Sequence, residues 1–352
     1  MVAGTALITG GAGYVGSHTL LRLTERGWRL IVLDDLSTGR ADAVVEGELI
    51  LGDVGDVALV EHLLRKHHVD VVMHFAARTV VPESVAFPLD YYDVNTSRTR
   101  NLLDCCVRCG VDKFVFSSTA AVYGMPPSGV AEETDPLLPI NPYGSSKLMC
   151  ETMLSDLSSI GAMRFVALRY FNVAGADEDG RIGQSKIGCT LLPKVACEAA
   201  VGKREEVIVY GTDYDTPDGT GVRDYIHVDD IARAHVSALD YLLDGGESVT
   251  LNCGYGHGYS VLEVLSALEH VHGRPIRKRF EPRRPGDPPT LVAVARKIHQ
   301  VLDWKPVHDD LESILRSGLN WEYQLLEREL PATRVQVPHP KAIGTEIPVQ
   351  RL

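Results

Sequence analysis

Val2-Ala-Gly-Thr-Ala-Leu-Ile-Thr9-Gly10-Gly11-Ala12-Gly13-Tyr14-Val15-Gly16 is the stretch whose reading decides the fold. Residues 2 to 9 are small and apolar, the pattern of a strand buried on both faces, and they run directly into a glycine loop. A helical segment from Ser17 to Arg26 follows, then a second apolar strand, Arg29 to Leu33, which ends in Asp34 and Asp35. Strand, glycine loop, helix and strand in that order separate a dinucleotide-binding turn from a chance cluster of glycines. Gly10, Gly13 and Gly16 permit the tight turn, close approach of backbone to a pyrophosphate, and close packing of helix on strand. Tyr14 and Val15 then sit where the helix N-terminus faces the phosphates.

Asp34 is placed to accept hydrogen bonds from an adenosine ribose, and a carboxylate there repels a 2′-phosphate. The expected cofactor is therefore NAD rather than NADP. The alternative is an acidic turn residue beside Asp35, and Arg40 is counter-evidence, being placed where it would tolerate a phosphate.

Further units extend the sheet. Leu49 to Val54 is a strand whose terminal Asp53 would meet the adenine amino group with Val54 beside it; otherwise Asp53 caps the helical segment 56 to 67. Asp70 to Phe75 is another strand, with Ala76 and Ala77 small enough to let the cofactor pass. Asn95 opens a long helix to about Arg108, its amide within reach of the loop or a ribose. Phe114 to Ser118 and Met163 to Arg169 complete six strands alternating with helices, which predicts a doubly wound, Rossmann-type parallel sheet.

The chemistry is concentrated between Ser117 and Lys147. Phe114-Val-Phe-Ser117-Ser118 is an apolar strand ending in hydroxyls, and in open α/β sheets ligands bind at the carboxyl ends of strands. Tyr143 and Lys147 in Tyr143-Gly-Ser-Ser-Lys147 share a helical face, so the ammonium can favour the ionised phenol. A free phenol has pKa ~10, and a base useful near neutrality needs a shift of roughly three units, about 4 kcal/mol. A cationic nicotinamide would supply part of it. The bland reading is an exposed amphipathic pair.

After Tyr170-Phe171-Asn172 the rhythm breaks. Residues 175 to 222 are rich in Gly and Asp and lead to Asp218-Gly-Thr-Gly-Val-Arg223-Asp224-Tyr-Ile-His227, where Arg223 stands among acids as a phosphate partner would. Helices at 230 to 243 and 261 to 272 and a strand at 249 to 253 return to the sheet. Pro282-Arg-Arg284-Pro-Gly-Asp287 is a rigid basic loop able to close over a diphosphate, or a surface loop fixed by prolines. The expected division is a NAD-binding domain over 1–174, its sheet completed by about 225–275. A smaller mixed α/β substrate domain follows over 175–224 and 276–330, with a tail over 331–352.

The chain has 352 residues, 45% hydrophobic and 23% charged, with net charge −12, which argues against nucleic-acid or anionic-membrane partners. No apolar run reaches the ~18 residues of a membrane span, and the expectation is a cytoplasmic protein. Seven cysteines read as free thiols rather than a disulfide framework, and Cys106-Val-Arg-Cys109 has no second ligand pair. The thirteen histidines show no metal-ligand spacing, so no metal is expected.

Over roughly residues 4 to 325 the chain resembles the extended short-chain dehydrogenase/reductase superfamily, and within it the UDP-glucose (UDP-galactose) 4-epimerase family. The motifs are Thr9 to His18, Ser117-Ser-Thr-Ala-Ala-Val-Tyr-Gly124, Tyr143 to Lys147, Arg169-Tyr-Phe-Asn172 and Asp218 to His227. The resemblance implies that Tyr143 is the base, that Lys147 tunes it and holds the nicotinamide ribose, and that Thr119 meets the sugar 4-OH. Ser117, Asn95 and Tyr170 then face the cofactor. Asn172, Thr190, Leu191, Arg223, Arg284, Asp287 and Leu291 fall on UDP-sugar contacts. Related 4,6-dehydratases place an acid and a base directly after the hydroxyl residue, where this chain has Ala120 and Ala121. The expected reaction is C4 inversion of UDP-glucose and UDP-galactose through a transient 4-ketosugar. Two alternatives stand: 4-epimerisation of an N-acetylated, pentose or uronate UDP-sugar, and an NAD-dependent dehydrogenase or reductase. A non-catalytic dinucleotide sensor would have no need of the retained Tyr and Lys. Many relatives carry Lys at Thr79, which puts retention of NAD in question, and Leu291 occupies the position whose bulk gates N-acetylated sugars. A homodimer through helices near 93–109 and 144–160 is expected by the same resemblance.

Overall fold

The computed structural model describes residues 3–186, 188–284 and 286–329; the 331–352 tail lies outside them. Seven parallel strands form the main sheet, in the order Val249–Cys253, Arg164–Tyr170, Lys113–Thr119, Val71–His74, Thr5–Thr9, Arg29–Asp34, Glu48–Leu51. Alternate side chains explain why both faces are covered. Ala6 and Ile8, Leu30 and Val32, Val71 and Met73 enter one core, against helices Tyr14–Glu25 and Val228–Leu243. Leu7, Ile31 and Leu33, Val72, Phe114 and Phe116 enter the other, against helices Val57–Lys66, Arg98–Cys109 and Pro142–Ser159. Period-two alternation between two apolar faces is what a buried parallel sheet requires.

Strand order reverses between Thr5–Thr9 and Val71–His74, and that switch point fixes where a ligand can enter. Gly10 follows the first strand and Phe75 the second, and the Phe75 amide donates to Thr9 O at 2.8 Å.

A four-stranded sheet, ordered Tyr259–Ser260, Val222–Arg223, Thr290–Ala293, Val130–Ala131, stands at the carboxyl end of the main sheet. A third core gathers helices Leu192–Ala200, Val261–His272 and Leu311–Glu329 around Val207 and Val209. No helix among the described residues is long and apolar enough to cross a membrane.

Some expectations need correction. Asn95 does not open a helix: it sits in a π-helical turn, Tyr92–Ser97, between helices Pro88–Tyr91 and Arg98–Cys109. The 56 to 67 helix is capped by Asp56, whose carboxylate accepts from the Leu59 amide at 3.1 Å, so Asp53 has no capping role.

Asp229 ties the first helix to its neighbours, accepting from Arg22 at 2.5 Å, Arg233 at 2.8 Å and His308 at 3.2 Å. Burial pushes its carboxyl up, but hydrogen bonds from His308, Arg22 and Arg233 outweigh burial and hold it far below the usual carboxylate range. A depressed folded pKa adds stability that is present above the unfolded value of about 4 and is lost as pH falls below it. The Asp229→Asn variant is expected to be less stable at pH 7 by about 2–3 kcal/mol. Its melting temperature should also fall less between pH 5 and pH 3 than that of the parent, as calorimetry across that range would record.

Candidate active site

Three glycines divide the work of the loop. Gly10 has φ +72°, and a Cβ there would lie 2.4 Å from Ala76 N. At Gly16 a Cβ would lie 2.4 Å from Gly10 O, so close packing of helix on loop excludes a side chain. A Cβ on Gly13 would meet only Gly10 O, at 3.2 Å, so this residue faces open space beside the N-terminus of a helix with no side-chain cap. That is a cradle a side chain would fill and a phosphate could enter. Tyr14 closes one side by donating to Gly175 O at 2.5 Å.

Asp34 is buried at the end of its strand and accepts from the Ala12 and Leu36 amides, both at 2.9 Å. Burial raises its carboxyl, and the two amides counter this. Exposed Asp35 accepts from Ser37 at 2.9 and 2.6 Å. Arg40 is paired with Asp42 at 2.6 Å.

Two proposed cofactor contacts are turned to other partners. Asp53 accepts from Gly55 N at 2.7 Å and pairs with Arg98. Asn95 accepts from Arg78 N at 2.8 Å and donates to Arg78 O at 3.0 Å and Ser146 Oγ at 3.0 Å. Its amide therefore clamps the 76–80 loop to the Pro142–Ser159 helix. Thr79 in that loop is exposed, and the Arg78 guanidinium is committed to Glu83 and Asp90. Val54 is buried in the core, and Phe75 packs against His235 at 4.7 Å.

At the end of the Lys113–Thr119 strand the Tyr143 phenol is hydrogen-bonded to Thr119, and the Lys147 ammonium donates to Ser117 O at 2.8 Å. Asn141 caps the helix that carries them by accepting from Gly144 N at 2.9 Å. Tyr170, cross-strand neighbour of Thr119, is hydrogen-bonded to Ser117 and to His235. Burial pushes the Tyr143 phenol up and the Thr119 bond opposes it. Burial pulls Lys147 down to about 8, with Cys150 and Glu151 opposing. Lowering of the phenol was expected from Lys147 together with a cationic nicotinamide; within the chain alone desolvation dominates, and one of the three ammonium donors goes to Ser117 O.

The substrate candidates meet this site through the smaller sheet. Leu291 packs with Ala120, Tyr123 and Phe171, and its cross-strand partner is Arg223. Arg223 donates to Val222 O at 2.8 Å. Asn172 begins a short strand, its amide donating to Asp224 O at 2.9 Å. Arg284 stacks on Tyr210 at 3.7 Å, and Asp287 is exposed on the same loop. Thr190 is exposed, and Leu191 caps the Leu192–Ala200 helix and lines a cavity together with Tyr14, Val173 and Gly175.

Sequence reading missed a buried polar chain behind the site. Ser118 donates to Glu151, and Arg169 grips Glu151 through Nε at 3.0 Å and Nη2 at 2.6 Å. Arg169 Nη1 donates to Tyr123 Oη at 2.8 Å, and that hydroxyl donates to Asn252 Oδ1 at 2.7 Å. An arginine inside the apolar run Phe165 to Tyr170 was the available signal, since a charge there needs a buried partner. Asp224 was also missed; its carboxylate accepts from Tyr255, Gly256 and Ala293 amides at 3.0, 2.9 and 3.3 Å.

A glycine-looped parallel sheet with a buried tyrosine–lysine pair at the carboxyl end of its Lys113–Thr119 strand defines a dinucleotide-dependent class. The NAD dependent epimerase/dehydratase family matches over residues 6–254, and the chain belongs to that family. Among its relatives, the UDP-glucose 4-epimerase of Azospirillum brasilense is 55% identical over 320 residues, covering 91% of this chain and 92% of the other. The structure of UDP-glucose 4-epimerase from Brucella ovis in complex with NAD superposes with TM-score 0.88 at 41% identity, covering 91% and 99%. That of UDP-glucose 4-epimerase from Bifidobacterium longum in complex with NAD+ and UDP gives TM-score 0.86 at 41% identity, covering 91% and 98%.

Proposed function

We propose that this chain inverts C4 of UDP-glucose and UDP-galactose through a transient 4-ketosugar. One observation carries the reading: Tyr143 and Thr119 are hydrogen-bonded where a sugar hydroxyl would sit, with Ser117 holding Lys147 alongside and only Ala120 and Ala121 next in the chain. Bound NAD supplies a hydride acceptor and donor. Tyr143 removes the 4-OH proton and returns it, and Thr119 fixes the hydroxyl by hydrogen bonding. Lys147 stabilises the phenolate and holds the ribose of the nicotinamide. Gly10, Gly13, Tyr14, Val15 and Gly16 hold the pyrophosphate, and Asp34 the adenosine ribose. Asn172, Arg223, Arg284, Asp287 and Leu291 bind the UDP-sugar, with Thr190 and Leu191 beyond them. No acid–base pair follows Thr119, so elimination of water has no agent and return to C4 is the outcome.

The proposed NAD domain is 1–174 with its sheet completed by about 225–275, and the UDP-sugar domain is 175–224 and 276–330; the Val261–His272 helix packs with the Leu192–Ala200 and Leu311–Glu329 helices of the latter. A homodimer is the proposed assembly: Phe87 and Leu89 are exposed at the start of the 88–109 helical run, and Met149 is exposed on the Pro142–Ser159 helix. Seven free thiols fit a reducing cytoplasm.

Proton NMR of the purified chain with UDP-galactose is expected to reveal the anomeric signal of UDP-glucose growing to an equilibrium mixture. No conversion with NAD supplied would move the substrate to another UDP-sugar. Stoichiometric consumption of reduced cofactor would instead identify a net reductase.

A further inference from the structure

Tyr143, Lys147 and Glu151 succeed one another by single turns on one face of the Pro142–Ser159 helix. Each meets one residue at the end of the Lys113–Thr119 strand: Tyr143 meets Thr119, Lys147 meets Ser117 O, and Glu151 meets Ser118. The first two contacts belong to the proposed reaction. The third has no part in it.

Glu151 is 6% exposed and Arg169 is 4% exposed. Their contact is bidentate, and the remaining terminal nitrogen of Arg169 is taken by the Tyr123 hydroxyl. The guanidinium also lies over the Tyr123 ring at 4.9 Å. With both carboxylate oxygens engaged, Glu151 cannot turn away from its turn of the helix. A buried ion pair is a poor way to gain stability, since apolar side chains of equal volume often serve as well or better. Its position one turn from Lys147 calls for another account. We propose that Glu151, locked in place by Arg169, is a positioning residue that keeps the Lys147 ammonium charged beside Ser117 and Tyr143.

The groups around Lys147 support this. On its own helix are Tyr143, Cys150 and Glu151; His74 faces it from the Val71–His74 strand, and Phe116 and Ser117 from the Lys113–Thr119 strand, while Arg169 of the Arg164–Tyr170 strand reaches the group through its pair with Glu151. Burial keeps Cys150 a thiol, pushed up to about 11, and keeps His74 neutral, pulled down to about 3. Burial also works against the charge on Lys147; Cys150 and then Glu151 oppose it, and with Cys150 held as a thiol the anion of the two is Glu151. Arg169, a cation paired with Glu151, offsets that carboxylate, so by charge alone the two partners should act on Lys147 in opposite senses.

This inference rests on the proposed function, and its test does not depend on turnover. The NAD-bound protein is labelled with 13Cε-lysine, the Lys147 resonance is assigned by its loss in Lys147→Met, and its midpoint is followed with pH. Glu151→Gln is expected to lower that midpoint by about one unit. The alkaline limb of kcat for UDP-galactose should move with it. Arg169→Gln, which keeps the carboxylate, should move both the other way. An unchanged midpoint in Glu151→Gln, or shifts of the same sense in both variants, would overturn the proposal. Circular dichroism checks that each variant is folded. If Glu151→Gln does not fold, Arg169→Gln decides alone: a midpoint that is unchanged or lowered overturns the assignment. Absence of turnover in the parent would sink the functional reading and leave the NMR result interpretable.

Discussion

Tyr143→Phe is expected to lower kcat about a thousandfold while leaving KM within about threefold. The ring stays packed where it is, 6.4 Å from that of Tyr91, so only the hydroxyl is lost. That hydroxyl is bonded to Thr119 and is the group nearest a sugar hydroxyl held at the same strand end. Nothing replaces it: Lys147 is committed to Ser117 O, and Ala120 and Ala121 carry no acid or base. Steady-state kinetics with UDP-galactose checks the result. A loss of less than tenfold would mean that another group takes the proton.

The second large effect concerns the loop. Gly10→Ala should cost about 3–5 kcal/mol, combining a left-handed backbone angle with a side chain forced onto neighbouring backbone. The clash is with Ala76 N at 2.4 Å and Phe75 C at 2.7 Å, atoms that cannot rotate aside. Gly13→Ala is the informative contrast. Its φ is −80° and its Cβ would meet only Gly10 O at 3.2 Å, a contact a few tenths of an ångström too tight. The expected outcome is near-parental stability with NAD binding weakened at least tenfold, because the methyl group enters the space left for phosphate. Chemical denaturation and calorimetric titration with NAD distinguish the two variants.

Much of this was legible in the sequence because the relevant signals are local. Alternation of Leu7 with Ala6 and Ile8, and of Ile31 and Leu33 with Val32, is enough to announce a sheet covered on both faces. The Tyr143–Lys147 spacing places both on one helical face without knowledge of the rest of the chain. The partners that Asp53 and Asn95 have within the chain were not legible, because they are distant or belong to the backbone: Arg98 pairs with the first, and the backbone of Arg78 with the second. The π-helical turn at Tyr92–Ser97 has no local signature, since its extra residue answers to packing around it. Strands of two residues, such as Val222–Arg223 and Val130–Ala131, are too short to show a period, so the sheet that brings Leu291 beside Ala120 could only be found in three dimensions. The lowering of the Tyr143 phenol was expected from Lys147 together with a cationic nicotinamide; in the chain alone burial pushes the phenol up, an opposing effect that no sequence spacing reveals.

The central claim is that C4 is oxidised and then reduced within one site. UDP-galactose carrying deuterium at C4, incubated with the purified chain in ordinary water and followed by NMR and mass spectrometry, tests it most directly. The predicted result is UDP-glucose that keeps the label at C4. Loss of the label to solvent, or its transfer to free cofactor with the 4-ketosugar left as product, would contradict it.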